Sequence, residues 1–477
     1  MGRLVVVSNR VPPPVDKGAS AGGLAVALRA ALAERGGLWL GWSGDTAEHH
    51  DGPPEVKTRT EGNISFSVLD LSQRDQEEYY QGFANRALWP LLHYRLDLVD
   101  FDRRDTSGFF RVNAMFASVL AERLRPDDVV WVHDYHLIPL GDELRAKGVR
   151  NRIGFFLHIP WPPPDVFFAM PCYQRLLEAF TAYDLIGFQI DHDAENFIAC
   201  LQRAGMCRQV GPATFRAGNR TFRVGAFPIG IDTKAFAATA AHAVDSPLVR
   251  RMAESVGSRA LVVGVDRLDY SKGIDQRMLA YERFLRSRSD MRGQVVYLQV
   301  TPKSRSEVPE YATMQREIAE TAGRINGGYS DLDWTPIRYL NRTIKHSTLA
   351  GLYRMADVGL VTPLRDGMNL VAKEYIAAQD PEDPGVLVLS RFAGAARELP
   401  AALLVNPYDI DATANAIAQG VAMTQEERIA RWREMYDQID RNDVHHWCSD
   451  FLKALQAPTV APVLADDDDA PVLQKAC

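Results

Sequence analysis

Residues 356–375, ADVGLVTPLRDGMNLVAKEY, concentrate groups that could do chemistry. A short apolar run (VGLVT) leads into a turn bearing Arg365, Asp366 and Gly367, and a helix is expected to open at Met368-Asn369 with Glu374 in its first two turns. Backbone N–H groups at a helix start lack intrahelical acceptors and sit at the positive end of the dipole, so they face an anion readily. A carboxylate about a turn further in can accept hydrogen bonds from the paired hydroxyls of a ribose or hexose. A phosphate seat beside a hydroxyl acceptor points to a sugar-nucleotide site, although an ordinary βα turn shows the same pattern.

Such a turn needs a buried sheet behind it. Strands covered on both faces read as short continuous apolar runs alternating with helical periodicity. One half of the chain offers LVVV (4–7), DVVWV (128–132), IGFFL (153–157) and YDLIGF (183–188); the other offers ALVVGV (260–265), QVVYLQV (294–300), VGLVT (358–362) and GVLVLS (385–390). FPIGID (227–232), punctuated by Pro and Gly, is the expected crossing between two α/β domains, 1–230 and 231–456. A long helical stretch over 425–455 is expected to pack back across the joint, and the Pro-rich acidic residues 457–477 read as a disordered tail.

Ligands of open α/β sheets lie beyond the carboxyl ends of the strands. Those exits carry Ser8-Asn9-Arg10, His133-Asp134-Tyr135-His136, His158, Asp266 to Lys272, Thr301 to Arg305, and Arg365-Asp366-Gly367. Together they describe a cleft between two sheets, holding cations and carboxylates suited to a phosphate-rich, hydroxyl-rich substrate pair. Ser20 to Leu24 contains tandem glycines that allow close backbone approach, but not the G-x-G-x-x-G fingerprint. Lys272 and Arg267 offer a point charge and a bidentate fork to phosphate without a nucleotide-hydrolysis frame around them. Tyr80, Trp89 and Tyr94 suit sugar faces or a core equally. His133, Asp134, His136 and His158 lack metal-ligand spacing, so no metal is expected. Asp331 to Thr335 matches a D-x-D-x-T phosphatase nucleophile in the wrong context and reads as a loop.

Composition bounds the classes. With 46% apolar and 24% charged residues the chain is globular, and a net charge of −7 offers no basic surplus for nucleic acid. There is no apolar run of membrane-spanning length, no signal-peptide pattern, and the five cysteines are scattered, so a cytoplasmic protein is expected.

The chain resembles the trehalose-6-phosphate synthases, retaining family 20 glycosyltransferases of GT-B architecture, in which two Rossmann-like domains enclose a catalytic cleft. The stretches that carry the likeness are LVVVSNR (4–10), SAGGL (20–24), GWSG (41–44), EYYQGFANRALWPLLHYR (78–95), WVHDYHLIPL (131–140), IGFFLHIPWP (153–162), FPIGID (227–232), RLDYSKG (267–273), AGRINGGY (322–329) and DVGLVTPLRDGMNLVAKEYIAAQD (357–380).

The resemblance implies transfer of glucose from a nucleoside diphosphate glucose, UDP-glucose first, to glucose 6-phosphate. No cofactor is implied, and a homo-oligomer is left open. Arg267 and Lys272 would hold the donor diphosphate near Gly22 and Gly23, with the backbone from Leu370 and Val371 covering it and Glu374 on the ribose. Asp366 and His158 would fix hydroxyls of the donor glucose. Arg10, Tyr80 and Arg305 would take the phosphate of glucose 6-phosphate, and Trp89 and Asp134 would position its sugar.

The chain departs from the family pattern in two places: HIPWPPPD replaces a HIPFPTPE-like run, placing Trp161 and Asp165 there, and Ile344 stands where some relatives carry an aromatic near the nucleotide base. The rivals are a relative with another acceptor, such as glucosylglycerol-phosphate synthases or cyclitol-joining relatives, and a catalytically silent sugar-phosphate sensor.

Overall fold

Runs of Val, Ile and Leu escape water on both faces only inside a sheet that is covered twice, and that is where they lie. The structure, a computed structural model, describes residues 2–12, 25, 28–29, 31–33, 36–47, 54–302 and 309–458. Gly22, Gly23, Arg305 and the acidic tail beyond 458 lie outside the described residues.

The strands are β1 (Leu4–Arg10), β2 (Gly37–Ala47), β3 (Val56–Glu61), β4 (Ile64–Ser72), β5 (Val129–His133), β6 (Arg152–Phe156), β7 (Leu185–Phe188), β8 (Arg208–Gly211), β9 (Thr214–Ala217) and β10 (Arg220–Ala226). The second set is β11 (Ala260–Val265), β12 (Val295–Val300), β13 (Ile337–Leu340), β14 (Val358–Val361), β15 (Val386–Ser390) and β16 (Leu403–Val405). β1 to β10 form a ten-stranded sheet in the order β3-β4-β2-β1-β5-β6-β7-β10-β9-β8. β11 to β16 form a six-stranded sheet in the order β13-β12-β11-β14-β15-β16. The second sheet is parallel throughout; the first is parallel except where β3 and the β8–β9 ribbon close its edges.

The fully apolar runs become central strands with buried residues at every position of β14 and β15. Sequence reading also passed over β2, although its first six residues are all buried, and over β3 and β4, whose patterns differ. β4 alternates buried and half-buried residues, and β3 (VKTRTE) buries none, as suits a polar sheet edge.

The C-terminal stretch is two helices rather than one. Gln425–Arg441 ends at Asn442, and Val444–Gln456 begins beneath an Asp443 cap whose Oδ1 accepts the His446 N–H at 2.8 Å. The Val444 N–H turns away to the Ile231 carbonyl at 3.2 Å. The second helix then returns to the first sheet. The buried Phe451 ring stacks on Trp131, with centroids 4.7 Å apart, and lies over Gly154 of β6, where a Cβ would meet it at 2.8 Å.

At the crossing between the sheets, the Ile229 carbonyl accepts from Lys373 Nζ at 2.8 Å, and Lys373 pairs with Glu398 at 2.6 Å. The Lys373 side chain is entirely out of water. Burial pulls its ammonium below the ordinary lysine value, and Glu398 opposes that pull. Among the described residues no helix is long and apolar enough to cross a membrane.

Removing one member of a buried pair strands the other charge, whereas replacing both with apolar groups does not. Lys373→Met is therefore expected to cost about 3–5 kcal/mol in urea unfolding. Combining it with Glu398→Leu should recover much of that loss; a double variant as unstable as the sum of the singles would contradict the pairing.

Candidate active site

The exits of β11 and β14 build one wall. Behind β11, the wholly buried Arg277 pairs with Asp266 at 2.6 Å and donates to the Lys272 carbonyl at 3.2 Å. The turn from Arg267 to Gly273 is thus fastened from beneath. Burial raises the Asp266 carboxyl and the Arg277 guanidinium opposes it. On the open side, Lys272 Nζ hydrogen-bonds Asp366, which also accepts from Asn369 Nδ2 at 3.0 Å. Asn369 is left-handed (φ 74°, ψ 87°) and precedes the Leu370–Ala378 helix, so the helix opens one residue later than the sequence suggests.

The opposing wall comes from β5, β6 and β7. Gly367 lies so close to His158 that a Cβ there would sit 2.2 Å from the His158 carbonyl oxygen. Only glycine allows these backbones to meet. Asp134 has φ 74° and ψ 163°, a conformation costly for a residue with a side chain, and its Oδ1 accepts the His158 N–H at 3.3 Å.

The His158 ring is held by a chain of hydrogen bonds. The Ile229 N–H donates to Gln189 Oε1 at 3.0 Å, which leaves Gln189 Nε2 to donate to His158 Nδ1 at 3.4 Å. His158 Nε2 must then carry the proton and donate to His133 Nδ1 at 3.1 Å. Burial pushes the His158 imidazole down to about 3, and His133 falls well below its ordinary value for the same reason. Both rings are neutral, bonded to each other rather than arranged around an ion.

Arg10 lies over the rings of Trp42 (4.4 Å) and Tyr80 (5.1 Å). Tyr80 stacks on His136, which packs at a tilt against Tyr135, and Tyr135 packs at a tilt against Trp89, whose ring lies 5.8 Å from the Arg267 guanidinium carbon. This aromatic chain connects the candidate acceptor residues to the candidate donor residues. Tyr80 and Trp89 project from a helix wound with π turns over Gln76–Leu88 and continued as Trp89–Leu92, a geometry frequent at functional sites. His93, beside them, is lowered to about 4 by burial, against the fields of Asp269 and Asp366.

Glu374 stands apart from this group. It is buried and hydrogen-bonded by His346 Nε2 at 3.3 Å. Ile344 and Lys345 line an adjoining cavity of about 770 Å³ with Leu340 and Arg338. His346, Gln189 and Asn369 were not identified from sequence. Gln189 directly follows β7 and the strand-exit rule would have found it; His346 follows no strand and belongs to no motif. Trp161 is buried among Phe167, Phe180 and Phe197 and acts in packing, whereas Asp165 makes a surface ion pair with the exposed Arg203. Asp331 and Trp334 close a tight turn around a fully exposed Leu332.

The model of glycosyltransferase family 20 matches residues 3–457. A trehalose-6-phosphate synthase of Sinorhizobium fredii is 58% identical over 460 residues, covering 96% of this chain and 99% of its own. The crystal structure of an α,α-trehalose-phosphate synthase (UDP-forming) from Burkholderia xenovorans in complex with glucose 6-phosphate superposes with a TM-score of 0.92 at 47% identity, covering 96% of this chain and all of that one (100%). An E. coli structure bound with UDP-2-fluoro glucose gives a TM-score of 0.91 at 47% identity, covering 96% and 100%. The two sheets with their helices are the GT-B architecture.

His346 yields a pH prediction. The hydrogen bond it donates to Glu374 raises its imidazole above the ordinary value, with burial opposing. A raised folded value means the stabilising contribution is full below the unfolded value of ~6.5 and is lost as pH rises through the folded value. The Tm deficit of Glu374→Gln relative to the parent should therefore be larger at about pH 5.5 than at about pH 8.5. A deficit independent of pH would remove this pair from the account.

Proposed function

The chain belongs to glycosyltransferase family 20, and from that premise we propose that it transfers glucose, with retention, from UDP-glucose to the anomeric hydroxyl of glucose 6-phosphate. The products are α,α-trehalose 6-phosphate and UDP. The observation that carries this reading is the meeting of Lys272, Asp366 and Gly367 with His158 and Asp134 across one cleft, in a chain alike end to end with synthases of that name.

In this reading residues 231–456 hold the donor. Arg267 and Lys272 take the diphosphate, which replaces Asp366 as the partner of the Lys272 ammonium and frees that carboxylate for glucose hydroxyls. The first N–H groups of the Leu370–Ala378 helix, at Leu370 and Val371, face the diphosphate, and Glu374 accepts from the ribose. The base enters the cavity beside Ile344. Residues 1–230 hold the acceptor: Arg10 and Tyr80 take its phosphate, and Trp89 and Asp134 orient its ring.

Transfer then proceeds on one face of the donor sugar. The bond from the anomeric carbon to the diphosphate oxygen breaks, the acceptor's anomeric oxygen bonds to the same carbon, and its proton passes to the departing phosphate oxygen. No pair of protein carboxylates is needed for this route, unlike glycoside hydrolysis. Arg267 and Lys272 stabilise the charge that grows on the diphosphate. His158, held neutral, contributes hydrogen bonding and shape rather than charge.

An end-point reaction with glucose 6-phosphate and a panel of UDP-, GDP- and ADP-glucose, read by NMR, should give an α,α-1,1-linked disaccharide phosphate with UDP-glucose. Donor binding without product would point to the sensing role, and product only with another acceptor to the related synthases. Lys272→Ala should lower kcat by about 10²–10³-fold; unchanged turnover would discard the electrostatic role.

A further inference from the structure

A second cavity, of about 440 Å³, lies where Arg365, Arg391 and Arg397 of the second sheet's loops meet Ile190 and His192 of the first. Its remaining lining is Phe392, Ala393, Ala396 and Leu404, with no carboxylate, in a chain whose net charge is −7. None of Arg267, Lys272, Asp366, His158 or Glu374 lines it.

Arg365 spreads over the Tyr94 ring at 3.9 Å and lies 5.4 Å from the Phe392 centroid, which holds its guanidinium in place. Arg391 and Arg397 are exposed, and among the described residues their side chains make no ion pair and no hydrogen bond. The carboxyl whose field reaches Arg365 is that of Asp193, buried and bonded to the Trp161 N–H at 3.1 Å, outside the lining. Three arginines share one hollow, and their planar forks match phosphate oxygens in pairs. Ile190, Phe392, Ala393, Ala396 and the exposed Leu404 make the rest of the lining largely apolar, and the exposed Tyr408 ring lies 6.3 Å from Phe392.

We propose that this cavity is a second anion site, distinct from the reaction cleft, for a small metabolite that joins a phosphate or pyrophosphate to an apolar or ring-shaped body. Its walls come from both sheets, so an occupant favours the arrangement in which the two halves meet, and ligand binding there is linked to cleft geometry by mass action. The inference does not depend on which sugars the cleft uses.

Calorimetric titration of the full chain with inorganic pyrophosphate tests it in three proteins. The parent should bind it in both cavities. Arg267→Ala/Lys272→Ala should keep one of these sites. Arg391→Ser/Arg397→Ser should weaken that one by roughly tenfold or more while leaving cleft binding and turnover unchanged, because each lost arginine removes a charge-assisted hydrogen bond. Complete loss of binding in the cleft variant would overturn the proposal. So would parental binding in the Arg391/Arg397 variant, and a changed assembly state of that variant with unchanged binding would make the patch a contact between copies instead.

Discussion

The architecture depends on a lysine buried at the joint between two sheets. Lys373 has no water to solvate it, so its ammonium must be answered by Glu398 and by the Ile229 carbonyl at the crossing. That requirement fixes the rotation and depth of the Leu370–Ala378 helix against the chain segment that links the two halves. Leu370 and Glu374 lie on the same helix, so their places in the cleft follow from it. Arg277 does the equivalent work one strand away, gripping Asp266 and the Lys272 carbonyl from below the opposite loop. Two buried cations therefore orient the two segments that carry Lys272, Leu370 and Glu374.

With those segments fixed, the remaining cleft is assembled at the cost of local backbone strain. Asp134 and Asn369 both have φ near 74°, outside the regions that side chains favour, at about 1–3 kcal/mol each. Both lie at the cleft, one on each wall, and each orients a carboxylate or amide inward. Gly367 allows the walls to touch at the His158 carbonyl. The imidazoles of His133 and His158, neutral and bonded to one another, then give the wall opposite Lys272 a polar surface without a charge that would compete with it.

Legibility of these features from sequence followed burial. β11, β12, β14 and β15 were readable because strands covered on both faces are mostly apolar, with Gln299 and the terminal Ser390 as polar exceptions. β3 was not readable, because an edge strand of threonines, charged residues and one valine has the same composition as a loop. The strand-exit rule found Arg10, Asp134, His158, Arg267, Lys272 and Asp366, and applied to β7 it would have found Gln189. It had no means of finding His346, whose role rests on a contact with Glu374 across 28 positions of chain. The single C-terminal helix expected from periodicity breaks at Asp443, because the chain there must turn to reach Ile231, a demand that local periodicity does not record.

By itself the sequence determined the doubly covered strands, the polar identity of their exits and the family these exits belong to, since each of those is a property of neighbouring residues. Only the tertiary structure decided which exits face each other, which nitrogen of His158 carries the proton, and that three arginines from two separate loops share one hollow. Those outcomes depend on distances between residues far apart in the chain, and they are set by the buried charges and close backbone contacts that hold the two sheets at one relative placement.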